Sequence, residues 1–145
     1  MKLHLKIIEA NNIPKMDFFG KADPYVLVTL SDSKDSDRTE YIEKTYEPKW
    51  NKEMHLRVSS IAESALFELK DHDNASRDDL IGTHKRIIKK FIPGIVTDEW
   101  IQLEEASGVD KAARLHIVYH LALEGMTPFV NLPYQFLKAV IKVDS

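Results

Sequence analysis

Arg114-Leu115-His116-Ile117-Val118-Tyr119-His120-Leu121-Ala122-Leu123 carries the clearest alternation in the chain. Leu115, Ile117, Tyr119, Leu121 and Leu123 fall on one side and His116, Val118 and His120 on the other, the two-residue period of a strand half-buried against a core. Such a strand, placed late, predicts the closing member of a sheet whose other face is polar. Residues 2–8 show the same period, with Leu3, Leu5 and Ile7 opposite Lys2, His4 and Lys6, and stop at Asn11-Asn12-Ile13-Pro14. Between these lie Tyr25 to Leu30, Thr39 to Thr45, Lys52 to Val58, Ala65 to Lys70, Leu80 to Arg86 and Trp100 to Leu103. They are short, and turns such as Ser31-Asp32-Ser33-Lys34 and Tyr46-Glu47-Pro48-Lys49 separate them. Ile87 to Ile92, before Pro93-Gly94, reads as a short helical connection. About eight strands at this spacing predict an all-β fold, an eight-stranded antiparallel β-sandwich with a short C-terminal extension.

With 145 residues, 43% hydrophobic and 30% charged, the chain is long enough for one core and too short for two. One domain is expected over residues 1–125, followed by an extension over 126–145. No cysteine is present, so neither disulfides nor a thiolate metal site can hold the fold. A net charge of −3 argues against nucleic-acid binding through phosphate neutralisation. Met1 to Lys6 alternates instead of forming a signal peptide's apolar run, and nothing approaches the roughly 18 apolar residues of a membrane span, so a cytoplasmic location is the expectation. Trp50 and Trp100 read as core anchors. His116 and His120 share a strand face, but without a third ligand a polar outer face outweighs a transition-metal site.

Two groups of acid flank loops. In Asp17-Phe18-Phe19-Gly20-Lys21-Ala22-Asp23-Pro24-Tyr25 two aspartates bracket a glycine-containing loop. In Asp71-His72-Asp73-Asn74-Ala75-Ser76-Arg77-Asp78-Asp79-Leu80-Ile81-Gly82, Asp71, Asp73 and Asp79 surround another. Aspartate also favours ordinary turns, and either group alone is as well explained that way. Together, the carboxylates from two loops match the oxygen donors that calcium takes, about six to eight at 2.3–2.6 Å. The second group is not an EF-hand, because Ser76 stands where that loop needs glycine and Gly82 where it needs the bidentate glutamate. No serine, histidine or lysine is spaced as a nucleophile or base, so the chain does not read as an enzyme.

Gly20-Lys21-Ala22-Asp23-Pro24-Tyr25-Val26, then Lys44-Thr45 with Pro48-Lys49-Trp50-Asn51, then Asp71-His72-Asp73 with Asp78-Asp79-Leu80-Ile81-Gly82, resemble the C2 domain family in order and spacing over about residues 2–123. The resemblance implies a C2-like Greek-key sandwich. It implies calcium ligands at Asp17, Asp23, Asp71, Asp73 and Asp79, with the main-chain carbonyls of Met16 and His72, holding about two or three ions. Ser76 matches a position that helps hold a further ion in some members. A first strand leading straight into the first calcium loop, with Leu115 to Leu123 last, is similar to the circularly permuted type II order.

The family resemblance further implies calcium-dependent binding to anionic phospholipid membranes. Phe18 and Phe19 would meet the membrane at the tip of the first loop and Arg77 from the third, and the chain would be cytoplasmic until calcium recruits it peripherally. Lys85, Arg86, Lys89 and Lys90 form a basic group that reads as a solvated face. In the extension, Phe136, Leu137, Val140 and Ile141 after Pro133 give a short apolar stripe at helical spacing. It supports the alternative function, a calcium-independent protein-interaction or oligomerisation module that works through residues 126–145. Deleting residues 126–145 separates the two: if the stripe only packs on the sandwich, sedimentation velocity finds the assembly state unchanged, whereas dissociation of an oligomer supports the interaction module.

Overall fold

Strand β1, Lys2–Asn11, sits between two antiparallel neighbours, β4 (Lys49–Arg57) and β9 (Arg114–Ala122), so its backbone is paired on both edges. The computed structural model describes residues 1–16, 20–31, 35–59 and 64–123. The expected membrane contacts Phe18 and Phe19, the expected ligand Asp17 and the extension 126–145 lie outside them. With β7 (Thr97–Gln102) the first sheet has the order β4-β1-β9-β7. The second runs β3-β2-β5-β6-β8, from β2 (Pro24–Leu30), β3 (Ser36–Arg38), β5 (Ser64–Asp71), β6 (Asp79–Ile87) and the two-residue β8 (Glu104–Glu105). The last strand, β9, lies beside the first, as the expected type II order requires. A 3-10 turn, Ile88–Lys90, follows β6 where a short helical connection was expected.

The core lies between the sheets. Leu3, Leu5 and Ile7 of β1 and Leu115, Ile117, Tyr119 and Leu121 of β9 face Val26, Val28 and Leu30 of β2 and Ala65, Phe67 and Leu69 of β5, all buried in one cluster. Each large aliphatic or aromatic side chain so buried contributes roughly 1.5–3 kcal/mol of transfer free energy. The alternation is broken once in β1, where a register shift between Ile7 and Glu9 in both pairings lets Ile8 be buried as well. Gly82 is the close approach in β6: a Cβ there would lie 3.0 Å from the Glu104 carbonyl oxygen and 3.0 Å from Leu103 Cβ. Without a side chain at 82, β8 can pair with β6 at Gly82 and Thr83.

Four expectations need correction. Thr39 to Thr45 is not a strand. The Thr39, Ile42 and Thr45 amides donate to the carbonyls of Val26, Pro24 and Ala22, a three-residue rhythm that no regular ladder has, and the Lys44 amide goes to the Asp23 carboxylate instead. Lys44, at φ 52°, turns the segment away. Trp100 is not a core anchor. It is 36% exposed on the outer face of β7, stacked on His116 with ring centroids 4.8 Å apart and with the Arg114 guanidinium 5.2 Å above it. Trp50 does pack on the core, partly buried.

The third correction concerns β9, whose His116, Val118 and His120 were expected in water; all three are buried, although they face away from the inter-sheet core. A strand with neighbours on both edges is shielded by their side chains, here Trp100 over His116 and His4 against His120. Leu123, expected inward, lies beyond the strand's end and is 44% exposed.

His4 stands directly across from His55 on β4 and from His120 on β9, and its Nδ1 is 2.8 Å from His120 Nε2. The three rings contact in a row, His4 in the middle at 4.7 Å from each neighbour. Burial first, then the like charges that His120, His55 and Lys2 would present, push the His4 pKa from 6.5 down to about 4. His120 is lowered too, by burial and then by His55. The unfolded chain therefore holds protons that the folded chain does not. Stability is complete above about pH 6.5 and falls as pH drops toward the folded pKa. Chemical denaturation should show a loss on the order of 3 kcal/mol between about pH 7 and pH 4 from His4, smaller in His4→Gln; equal pH slopes in both proteins would contradict it.

Candidate functional site

Three loops meet at one end of the β2-β5-β6 edge because the ladders bring the strand ends together. Pro24 pairs with Asp71 across β2 and β5, and Asp71 pairs with Asp79 across β5 and β6. The Asp23 amide donates to Asp71 Oδ1 at 2.8 Å, and the His72 amide donates back to the Asp23 carbonyl at 2.9 Å. The Lys44 amide donates to Asp23 Oδ1 at 2.7 Å. Asp23 thus ties the first loop to the second and third, and Asp71, 8% exposed, is held at the base of the cluster. Trp50 supports the same corner by donating from Nε1 to the Pro24 carbonyl at 3.3 Å.

The third loop, residues 72–78, folds around its own carboxylates. Asp73 Oδ1 accepts from the Ala75 amide and Oδ2 from the Ser76 hydroxyl, both at 2.8 Å. These donors hold the Asp73 carboxyl below the usual carboxylate range, so it stays ionised at neutral pH. Asp78 closes the loop: its Oδ1 accepts from the Asp73 amide at 2.9 Å and its Oδ2 from the Tyr25 hydroxyl at 2.5 Å. Tyr25 belongs to β2, so this bond pins the loop to the sheet. It lowers the Asp78 pKa, while burial and then the Asp78 bond push that of Tyr25 up to about 12. Arg77 is exposed between these anchors.

Of the residues expected at the site, Asp23, Asp71, His72, Asp73 and Asp79 lie at this end of the sandwich. Met16 is partly buried against the core below the first loop. Among the described residues no three acidic or histidine side chains converge as a formed metal cage, and Asp17, the remaining expected ligand, is outside them. The donors at this end are nonetheless of one kind, hard oxygens from carboxylates and main chain. Sequence reasoning missed Tyr25, Asp78 and Tyr41. Tyr41 is 40% exposed and stacks on His72 with centroids 4.1 Å apart, which places an aromatic ring from the second loop beside the third. Its signal was the adjacent pair Tyr41-Ile42, hidden by assigning that segment to a strand.

The C2 domain family matches residues 1–103, and the chain belongs to it. It is 34% identical over 82 residues, 57% of its length, to a C2 and GRAM domain-containing protein of Arabidopsis thaliana, of which it spans 8%. It is 31% identical over 133 residues, 87% of its length, to extended synaptotagmin-1 of Mus musculus, of which it spans 11%. A C2 domain of a plant extended synaptotagmin 1 superposes with a TM-score of 0.73 at 23% identity, covering 85% of this chain and 96% of that one. The last comparison bears on the fold alone.

Tyr25→Phe removes the bond that pins the third loop. The Asp78 carboxyl should then titrate nearer its ordinary range in carbon-13 NMR, and stability should fall by roughly 0.5–1.5 kcal/mol. An unchanged Asp78 titration would mean that the hydroxyl does not hold the loop.

Proposed function

We propose that this C2 domain docks on anionic phospholipid membranes, and that calcium held by the loop cluster makes the docking possible. The observation that carries this is the tying of three loops by Asp23 and Asp71, with Asp73 and Asp79 exposed beside them. The ligands would be the carboxylates of Asp17, Asp23, Asp71, Asp73 and Asp79 and the carbonyls of Met16 and His72, with about two or three ions held. Bound calcium supplies positive charge and coordination positions open to phosphate oxygens. The chain's own residues do the rest. Without a cation, the clustered carboxylates face an anionic bilayer with like charge and are repelled. The bonds of Asp73 and Asp78 hold the third loop in shape, so little ordering remains for the encounter.

Phe18 and Phe19 at the first loop and Arg77 at the third are the proposed membrane contacts. Tyr41, exposed and stacked on His72, joins them as a ring suited to the headgroup region. Among the described residues no helix is long and apolar enough to cross a membrane, which fits peripheral association. The chain spans about a tenth of the curated relatives named above, so it would serve as a docking unit for other activities.

Sedimentation with phosphatidylserine vesicles tests the proposal. The wild-type chain should pellet with calcium and stay in solution with chelator. In Asp71→Asn/Asp73→Asn the amide oxygens can still accept from the Asp23 and Ala75 amides, and the new NH2 at position 73 can donate to the Ser76 hydroxyl, while the charge is gone, so the fold should persist and at least about tenfold more calcium should be needed. Pelleting that chelator does not reverse would overturn the calcium requirement, and no pelleting in either condition would overturn the membrane claim.

A further inference from the structure

The basic run Lys85, Arg86, Lys89 and Lys90 does not lie uniformly in water. Ala65 and Phe67 of β5 face the core and pair with Arg86 and His84 of β6, so those two also point between the sheets, while Lys85 keeps to the outer face. His84 and Arg86 form one wall of a cavity of about 590 Å³ on the flank of the sandwich, between β6, the 3-10 turn and the β7-β9 pair. The Arg86 charge is already answered inside the fold: a terminal nitrogen pairs with Glu99, and the guanidinium lies 5.9 Å from the centroid of the Tyr119 ring.

What the cavity leaves open is apolar. Phe91, stacked on Tyr119 at 4.8 Å, and Ile95 are only partly covered, and Leu121 closes the side toward β9. Ile92 stands at the mouth 66% exposed, the most exposed large hydrophobic side chain among the described residues. The Gly94 amide donates to the Leu121 carbonyl at 2.8 Å, which ties the connection carrying Ile92 to the end of β9. Two residues past that bond is Leu123, 44% exposed, where the chain leaves the strand.

The sequence that continues from Leu123 has the pattern to cover this surface. Phe136, Leu137, Val140 and Ile141, with Leu132 one turn earlier, fall on one side at helical spacing, and Gln135, Lys138 and Lys142 fall on the other. A stripe this short is marginal alone in water and needs an apolar surface to lie on. Gly125 and Pro128 supply turn formers directly after β9, and Phe129, six residues beyond Leu123, can reach up to about 20 Å from it, enough for the chain to double back along the flank. A connection so short gives docking within one chain an effective concentration in the millimolar range, which a second molecule in dilute solution does not match.

We propose that residues 132–141 dock their apolar side in the flank cavity of the same chain, covering Ile92 and the open edge of Phe91 and Ile95. With that side down, Lys138 and Lys142 stay in water, so the basic rim at Lys90 does not oppose them. The contact is apolar, needs no calcium and leaves the loop cluster free.

The test uses the whole chain in chelator, without lipid. Because the chain has no cysteine, Lys138→Cys gives a nitroxide spin label one attachment point, on the polar side of the stripe. In proton–nitrogen NMR the label should erase the amide signals of Ile92, Ile95 and Leu121, which return when the nitroxide is reduced, and leave Ser36 to Arg38, on the far edge of the second sheet, sharp. Ile92→Asp, a change at an exposed position, should restore the erased signals, and Phe136→Asp/Val140→Asp should restore them from the other side. A mixture of labelled chain without nitrogen-15 and unlabelled chain enriched in it should lose no signal. Flank signals that stay sharp in the labelled chain, or that stay erased in both aspartate variants, would overturn the proposal. So would loss in the mixture, which assigns the cavity to a second copy, or a sharp flank with a label immobilised only on phosphatidylserine vesicles, which assigns the stripe to a lipid surface.

Discussion

With no cysteine in the chain, the two sheets are joined chiefly by apolar side chains, and everything at the ends of the strands depends on that contact. Its centre is β1, hydrogen-bonded to β4 on one edge and β9 on the other while Leu3, Leu5 and Ile7 press toward β2 and β5. A one-residue slip of β1 would turn those side chains out and His4 and Lys6 in, so burial fixes the register. Fixed registers set where each strand stops. The meeting of Asp23, Asp71 and Asp79 follows from the ladders of β2, β5 and β6 rather than from attraction among the loops, which carry like charge.

That repulsion has to be offset, and backbone amides do part of it. Asp23, Asp71, Asp73 and Asp78 each accept at least one main-chain N–H, and Asp78 adds the Tyr25 hydroxyl. Such bonds stabilise the ionised form, each by about 1.5–3 kcal/mol where the acceptor is charged and shielded, less in the open. They also fix the loops before any ligand arrives. A carboxylate oxygen has more than one acceptor direction, so an oxygen used in the stitch still presents lone pairs outward. Organisation and acidity are therefore compatible.

β1 was legible because its side chains alternate with period two, whereas β2 and β5 were placed to within a residue at each end as short runs bounded by turns. Thr39 to Thr45 misled because it has strand composition but meets the carbonyls of β2 and its approach with every third amide, a spacing that composition cannot encode. β9 misled in the opposite way. Its alternation correctly assigned the faces, yet Trp100 and His4, far off in sequence, cover the second face, and burial by distant neighbours leaves no local mark. At the loops, the aspartates were found by kind and order. The Tyr25–Asp78 bond was not, since it joins residues 53 apart in sequence and depends on the β2-β5-β6 register.

Arg86 was hidden for the same reason: among lysines it reads as one more solvated charge, and only its pairing with Ala65 turns it inward. The cavity it lines follows from the shortness of β8, which pairs with β6 at Gly82 and Thr83 and no further. Beyond Thr83 the flank is closed by the connection around Phe91 and Ile95 instead of by a strand, which leaves space that a ladder would have filled. Asp79 and Arg86 lie toward opposite ends of β6, and seven strand residues span about 23 Å. At physiological ionic strength that is nearly three Debye lengths of about 8 Å each, so acid at the loops neither cancels the basic flank nor is cancelled by it. One sandwich thus carries acid at its loops and base on its flank without either field erasing the other.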